Sequence, residues 1–274
     1  MRQLDTLKEQ SMTYENILTE THDRVGIIRF NRPHKLNAWT AEMSAEIVDQ
    51  MTVWNDDGAI GAIILTGEGR SFCAGADLDG FAERIVTSKE SGEAISRGGV
   101  SLPMFMQRSK PIIAAINGYA VGVGLTMILP CDVRIASTEA KLSIRFIKMG
   151  LMPELGSTRI LAQLVGLGNA TDMCLTGRMV GAEEALRIGL VTQVTQPEDL
   201  LAVAMEKAAE IANNPPKAVM MIKELLAKNP QDADLEAVME REGLRDQIAR
   251  RQPDHAEAVA AFMEKRAPVF GKSG

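Results

Sequence analysis

Two glycine-containing stretches of this 274-residue chain have the composition to hold an anion. The stretch Asn117-Gly118-Tyr119-Ala120-Val121-Gly122-Val123-Gly124-Leu125-Thr126 joins an apolar run at 111–116 to another at 125–129. The first run reads as a buried strand and the second as a buried helix. Gly118, Gly122 and Gly124 lack a Cβ, so another group can come close to the main chain. A helix start presents unpaired N–H groups and the positive end of its dipole. Such a turn can hold a resting anion or the charge that develops on an oxygen during a reaction. A tightly packed strand-to-helix turn has the same composition. The second stretch, Ser71-Phe72-Cys73-Ala74-Gly75-Ala76-Asp77-Leu78, follows a β-branched strand pattern at 60–66 and a Gly67-Glu68-Gly69-Arg70 turn. The chain thus has two strand–turn–helix units with N–H groups on offer.

Taken together, the 72–78 and 117–124 stretches resemble the crotonase superfamily, the enoyl-CoA hydratase/isomerase fold, and the likeness runs from about residue 14 to residue 270. The resemblance implies an α/β fold, a crotonase-like spiral of repeated ββα units with a C-terminal helical oligomerisation region. It also implies an acyl-CoA thioester as substrate, with no cofactor beyond the coenzyme A that the substrate carries. In that family two main-chain N–H groups hold the thioester oxygen. Carried over, they are those of Ala76 and Val123, with Ala74, Asp77, Leu78 and Gly122 beside the bound thioester. The family usually has glycine where Val123 stands, which leaves the N–H but narrows the space. The Asn31-Arg32-Pro33-His34-Lys35-Leu36-Asn37-Ala38 stretch also resembles the family and implies that Lys35 lies near the CoA phosphates; a solvated loop lysine is the alternative.

A thioester carbonyl held by two N–H groups gains negative charge when a proton leaves C2 or a nucleophile adds at C3. Each such donor is worth roughly 2.7–4 kcal/mol of barrier. Removing a C2 proton at neutral pH needs a placed base. Family hydratases use two glutamates. Their positions fall here on Thr126, one helical turn after the Val123 N–H and on the same helix face, and on Phe146. Neither side chain can transfer a proton at neutral pH. The carboxylate of Glu154, in Gly150-Leu151-Met152-Pro153-Glu154-Leu155-Gly156-Ser157-Thr158, stands beside proline, before a helix, among apolar residues that should raise its pKa. Part of the superfamily, including a group of enoyl-CoA isomerases, looks similar here and keeps a single acid/base in this segment. The preferred reaction is therefore conversion of a 3-enoyl-CoA to a 2-enoyl-CoA with Glu154 as base. The alternatives are hydration of a 2-enoyl-CoA and a catalytically silent acyl-CoA binder. Asp77 reads as a helix cap and Asp132 as a holder of main-chain N–H groups. His22, His34 and His255 do not cluster with Ser or Asp, and no metal-ligand spacing appears.

The elements that must position these groups follow from pattern. Residues 14–20 and 25–30 read as a hairpin ended by Asn31-Arg32-Pro33. Thr40 is an N-cap for a helix with Met43, Ile47, Met51 and Trp54 on one face. Strands at 60–66, 111–116, 133–136 and 141–143, with helices near 78–86 and at 123–130, repeat as ββα turns. That repetition fits a spiral of stacked sheets better than a doubly wound sheet. Residues 81–108 read as helices with a mobile link over the acyl pocket, which Phe146 also shapes. The chain from 156 onward reads as helical with a strand at 190–194. The Thr176-Gly177-Arg178 and 182–191 segments resemble a family signature whose role is packing. The division expected is a core at 12–195 and a helical region at 196–274. The resemblance makes that region the interface of a homotrimer or a dimer of trimers, with Phe270 and Lys272 reaching a neighbour's CoA.

Composition narrows the classes. A hydrophobic fraction of 46% with 16 Met supports a large, adaptable core. A net charge of −6 argues against broad nucleic-acid or anionic-membrane binding, and the helix at 40–54 has no Lys or Arg. Three scattered cysteines fit a reducing, cytoplasmic setting, and Cys73 reads as a small buried side chain. No apolar run reaches eighteen residues, and the polar first thirteen residues lack a signal-peptide core. Met12 is an alternative start, which would make residues 1–11 an extension.

Overall fold

The computed structural model describes residues 14–77 and 101–271. Strands β1 (Ile17–His22) and β2 (Val25–Phe30) form the hairpin, turning at Asp23, whose φ is 49°. Helix α1 (Ala41–Asp56) starts where expected, with Thr40 Oγ1 accepting from the Met43 N–H at 3.1 Å. Then come β3 (Ala62–Gly67), β4 (Ser71–Cys73), α2 (Leu102–Arg108), β5 (Ile112–Ile116), β6 (Tyr119–Val121) and a single helical turn, α3 (Val123–Thr126). After these lie β7 (Val133–Ser137), β8 (Lys141–Ser143), a 3-10 turn at Arg145–Met149, α4 (Ser157–Thr176), β9 (Val180–Gly181), α5 (Ala182–Arg187) and β10 (Gln193–Thr195). The chain closes with α6 (Leu200–Ala212), α7 (Pro216–Lys228), α8 (Leu235–Arg250) and α9 (Pro253–Glu264).

Strand partition explains the spiral. One sheet has the order β1-β2-β3-β5-β7-β10, parallel beyond the first hairpin, and the other has β4-β6-β8-β9. Each repeat gives its first strand to the larger sheet, turns a corner, and gives its second to the smaller: β3 then β4, β5 then β6, β7 then β8. The corners are tight. A Cβ at Gly67 would lie 2.2 Å from the Ser71 carbonyl oxygen, and one at Gly118 would lie 2.1 Å from that of Arg70. Only glycine fits there.

The apolar runs are continuous because both faces of the larger sheet are covered. Ile63, Leu65, Ile112, Ala114 and Ile116 face the main core, shared with α1, α4 and the smaller sheet. Their neighbours Ala62, Ile64, Ile113 and Ala115 face Leu200, Ala204, Ala208 and Ala212 of α6. That helix is small-sided, so it sits close against the strands. The expected helix at 123–130 is shorter than its pattern indicated. Beyond Thr126 the Leu129 and Cys131 carbonyls accept from the buried Arg134 guanidinium instead of from helical N–H groups. The strand expected at 190–194 is shifted to β10. The helix expected near 78–86 lies outside the described residues.

Candidate active site

The site elements meet at the ends of the parallel strands where β3 and β5 turn into the smaller sheet. Asn37 organises this end. It is fully buried and left-handed, with φ of 55°. Its Nδ2 donates to the Glu68 and Ser71 carbonyls at 2.9 and 2.7 Å, and its Oδ1 accepts from the Arg32 N–H at 2.9 Å. Asn117 grips the same corner from the other side, donating to the Gly69 carbonyl at 2.8 Å and accepting from the Gly67 N–H at 3.2 Å. The two amides fix the 67–71 turn between the loop at 31–40 and the second glycine stretch.

The first motif is held in a one-residue parallel bridge, Trp39 to Ala76. The Trp39 N–H donates to the Gly75 carbonyl at 2.7 Å, and the Asp77 N–H donates to the Trp39 carbonyl at 3.0 Å. In a parallel bridge these bonds engage the residues flanking Ala76. The N–H of Ala76 itself is turned away from Trp39. Ala74 is tied to the same loop, its N–H donating to the Leu36 carbonyl at 3.0 Å. Gly75 adopts φ of +117°, a region that L side chains rarely enter.

The second motif packs directly on the first. A Cβ at Gly75 would stand 3.3 Å from the Val121 carbonyl oxygen, and one at Gly122 would stand 4.0 Å from the Gly75 Cα. A Cβ at Gly124 would lie 2.1 Å from the Cys73 carbonyl oxygen, so α3 rests on the end of β4. Gly122, with φ of 56°, donates its N–H to the Ser143 carbonyl at 2.9 Å and caps α3. Val123 opens the helix, so no carbonyl of that helix can take its N–H. Ala76 and Val123 each stand one residue after Gly75 and Gly122, whose backbones approach each other at this junction.

Other residues picked from sequence fall at different depths. Thr126 is fully buried, and its hydroxyl turns back toward the Val123 carbonyl at 3.5 Å. Phe146 is half-buried in the 3-10 turn and packs against the main core. Glu154 is half-buried two residues before the Gly156 cap of α4, with its carbonyl accepting from the Ser157 N–H at 3.0 Å. Leu155 beside it is left-handed, φ 58°, a conformation held by packing of its side chain against the core. Lys35 ends a short 3-10 turn and is exposed. Asp77 is ion-paired with Arg32 at 2.7 Å. Asp132 accepts from the Ile112 N–H at 2.7 Å, as its reading anticipated, and also from Lys223 at 2.7 Å. Burial pushes the Cys73 thiol up to about 12, which leaves it a packing residue.

Phe270 is not brought to this junction within the chain. Its neighbour Gly271 lies against the Arg24 guanidinium, at the β1–β2 turn. That turn is at the opposite end of β2 from the Phe30–Gly67 pairing, a strand length or roughly 20 Å away. Leu78 and Lys272 lie outside the described residues, as does most of the 81–108 segment. Arg32, Asn37 and Asn117 were missed as site-builders. The signal for Asn117 was present: it stands in a loop directly before Gly118 and can mimic or cap a turn.

The sequence profile of the family described as enoyl-CoA hydratase/isomerase matches residues 20–273. A Mycobacterium tuberculosis protein named "Probable enoyl-CoA hydratase echA8" is 38% identical over 260 residues, covering 94% of this chain and 99% of that protein. The 1,2-epoxyphenylacetyl-CoA isomerase of Escherichia coli is 33% identical, with 93% and 98% covered. Among solved structures, an enoyl-CoA hydratase from Bacillus anthracis superimposes with a TM-score of 0.84 at 32% identity, covering 94% of this chain and 100% of that one. With fold, corner geometry and full-length similarity in agreement, this chain belongs to the enoyl-CoA hydratase/isomerase family of enzymes.

Proposed function

We propose that the protein binds an acyl-CoA thioester and shifts a double bond from C3–C4 to C2–C3. The Ala76 and Val123 N–H groups would take the thioester oxygen. Glu154 would remove a proton from C2, the C–H electrons forming C1=C2 as the carbonyl pair moves onto oxygen, which gives a dienolate that keeps its C3=C4 bond. The protonated Glu154 would then deliver a proton to C4 as the dienolate collapses to the 2-enoyl thioester. One carboxylate acts first as base and then as acid, so no second proton carrier is required.

The observation that carries this choice is the state of Thr126. A hydratase of the two-carboxylate kind needs an acidic group at that position. Here the side chain is a fully buried hydroxyl turned onto a main-chain carbonyl. Phe146 at the second position is apolar. Hydration is the second reading, favoured by the names of the mycobacterial relative and the Bacillus anthracis structure; in this site Glu154 alone would have to manage the water and the proton.

The deciding assay compares turnover of a 3-enoyl-CoA with water addition to crotonyl-CoA, in the wild type and in Glu154→Gln. The proposal expects isomerisation to dominate and to fall by about 10²–10⁴-fold in the variant. Hydration that outpaces isomerisation and survives Glu154→Gln would overturn it. Calorimetric binding of an acyl-CoA with no turnover of either kind would identify a silent binder.

A further inference from the structure

Arg32 bonds both sides of the Trp39–Ala76 bridge. Its guanidinium donates to Asp77 Oδ2 at 2.7 Å and, through its other terminal nitrogen, to the Ala38 carbonyl. Ala38 precedes Trp39 and Asp77 follows Ala76, so one planar cation spans the two strands of the bridge. The Arg32 and Asp77 side chains are only 16% and 17% exposed. A pair this shielded is screened far less than a surface ion pair. The bridge has a single residue pair, held by two main-chain bonds that flank Ala76 and a third from the Ala74 N–H to the Leu36 carbonyl. The guanidinium fork adds a planar, two-point restraint that an ammonium cannot reproduce.

On the reading that the Ala76 N–H polarises the thioester, we propose that Arg32 is a positioning residue for the reaction. Its fork to the Ala38 carbonyl and the Asp77 carboxylate holds the Ala76 N–H on line with the oxygen that becomes the enolate. The charge alone does not suffice; the two-point geometry does the positioning. An N–H swung off line weakens steeply as a donor. The loss falls on the transition state, where the oxygen carries most charge, more than on ground-state binding.

The test is the absorbance of a bound push–pull thioester, 4-dimethylaminocinnamoyl-CoA, together with steady-state kinetics. Stronger hydrogen bonding at its carbonyl moves the band to the red. Arg32→Lys keeps the charge and loses the fork; Arg32→Gln loses both. The wild type should red-shift the probe on binding. Both variants should bind it yet lose most of the shift, and kcat should fall about 10–100-fold with KM little changed, part of what removing one such donor costs. A clasp of merely structural importance would lower the melting temperature and leave the shift per bound probe intact, which overturns the proposal. So would an Arg32→Lys enzyme with wild-type shift and kcat. If Arg32→Gln fails to fold, Arg32→Lys decides alone. Absence of any shift in the wild type would instead sink the two-donor reading on which the proposal rests.

Discussion

Asn37 shows what a single side chain contributes here beyond chemistry. Replacing it with alanine strands the Glu68 and Ser71 carbonyls and the Arg32 N–H, and asks alanine to hold φ of 55°. Buried groups left unpaired cost about 1–3 kcal/mol each where nothing relaxes. Asn37→Ala should therefore lose about 2–4 kcal/mol in denaturant unfolding; a loss below about 1 kcal/mol would mean that water replaces the amide. Glu154 is proposed as the base on a signal local to the sequence, an acid beside proline amid apolar residues. The buried asparagine gives no such signal. Its importance depends on three partners, two of them more than thirty positions away, and no local pattern announces them. The Asp77 carboxylate was read as a cap because its partner, Arg32, comes from a loop whose path only the fold reveals.

At the scale of elements, the strands of the larger sheet were legible, while β4, β6 and β9 of the smaller sheet and the length of α3 were not. An apolar run long enough for two helical turns is consistent with one turn plus buried coil, and the choice is made by Arg134, which reaches back to the Leu129 and Cys131 carbonyls. The contact of α3 with β4 is more exacting than its length. Gly124→Ala puts a Cβ 2.1 Å from the Cys73 carbonyl oxygen. The helix start must then move off the strand, taking the Val123 N–H with it. Both melting temperature and kcat/KM should drop. Gly168→Ala in α4, where nothing lies within 4 Å, is the matched control. It should be neutral or stabilising by about 0.4–1 kcal/mol. Equal effects of the two changes on melting and turnover would show that the α3–β4 contact does not tune the site.

Across the whole molecule, the C-terminal helices are tied to the core and still leave apolar surface bare. Lys223 of α7 is buried and bonds Asp132 at 2.7 Å, while Leu226 and Leu235 are each 70% exposed and Phe262 is 82% exposed. We propose that this face is covered by further copies of the chain, in a homotrimer or a dimer of trimers. Light scattering should return a mass three or six times that of the monomer, and Leu226→Glu should lower it; a monodisperse monomer in the wild type contradicts this. Acid should loosen the same helices. Hydrogen bonds from Arg245 and Lys228 bring Glu224 down from 4.5 to about 2. A carboxylate whose folded pKa is depressed stabilises the fold above its unfolded pKa. That contribution fades as pH falls from about 4.5 toward 2. Melting temperatures between pH 5 and pH 3 should fall less steeply in Glu224→Gln than in the wild type, and parallel curves would show that the pair is too solvated to count.

The most direct trial of the mechanism follows a hydrogen isotope. A 3-enoyl-CoA carrying deuterium at C2 is converted in ordinary water, and the product is examined for label at C4. A single carboxylate that takes the proton and gives it back predicts deuterium at C4 in part of the product, with conversion lost in Glu154→Gln. Rapid conversion with no label at C4, unchanged by that substitution, would contradict it.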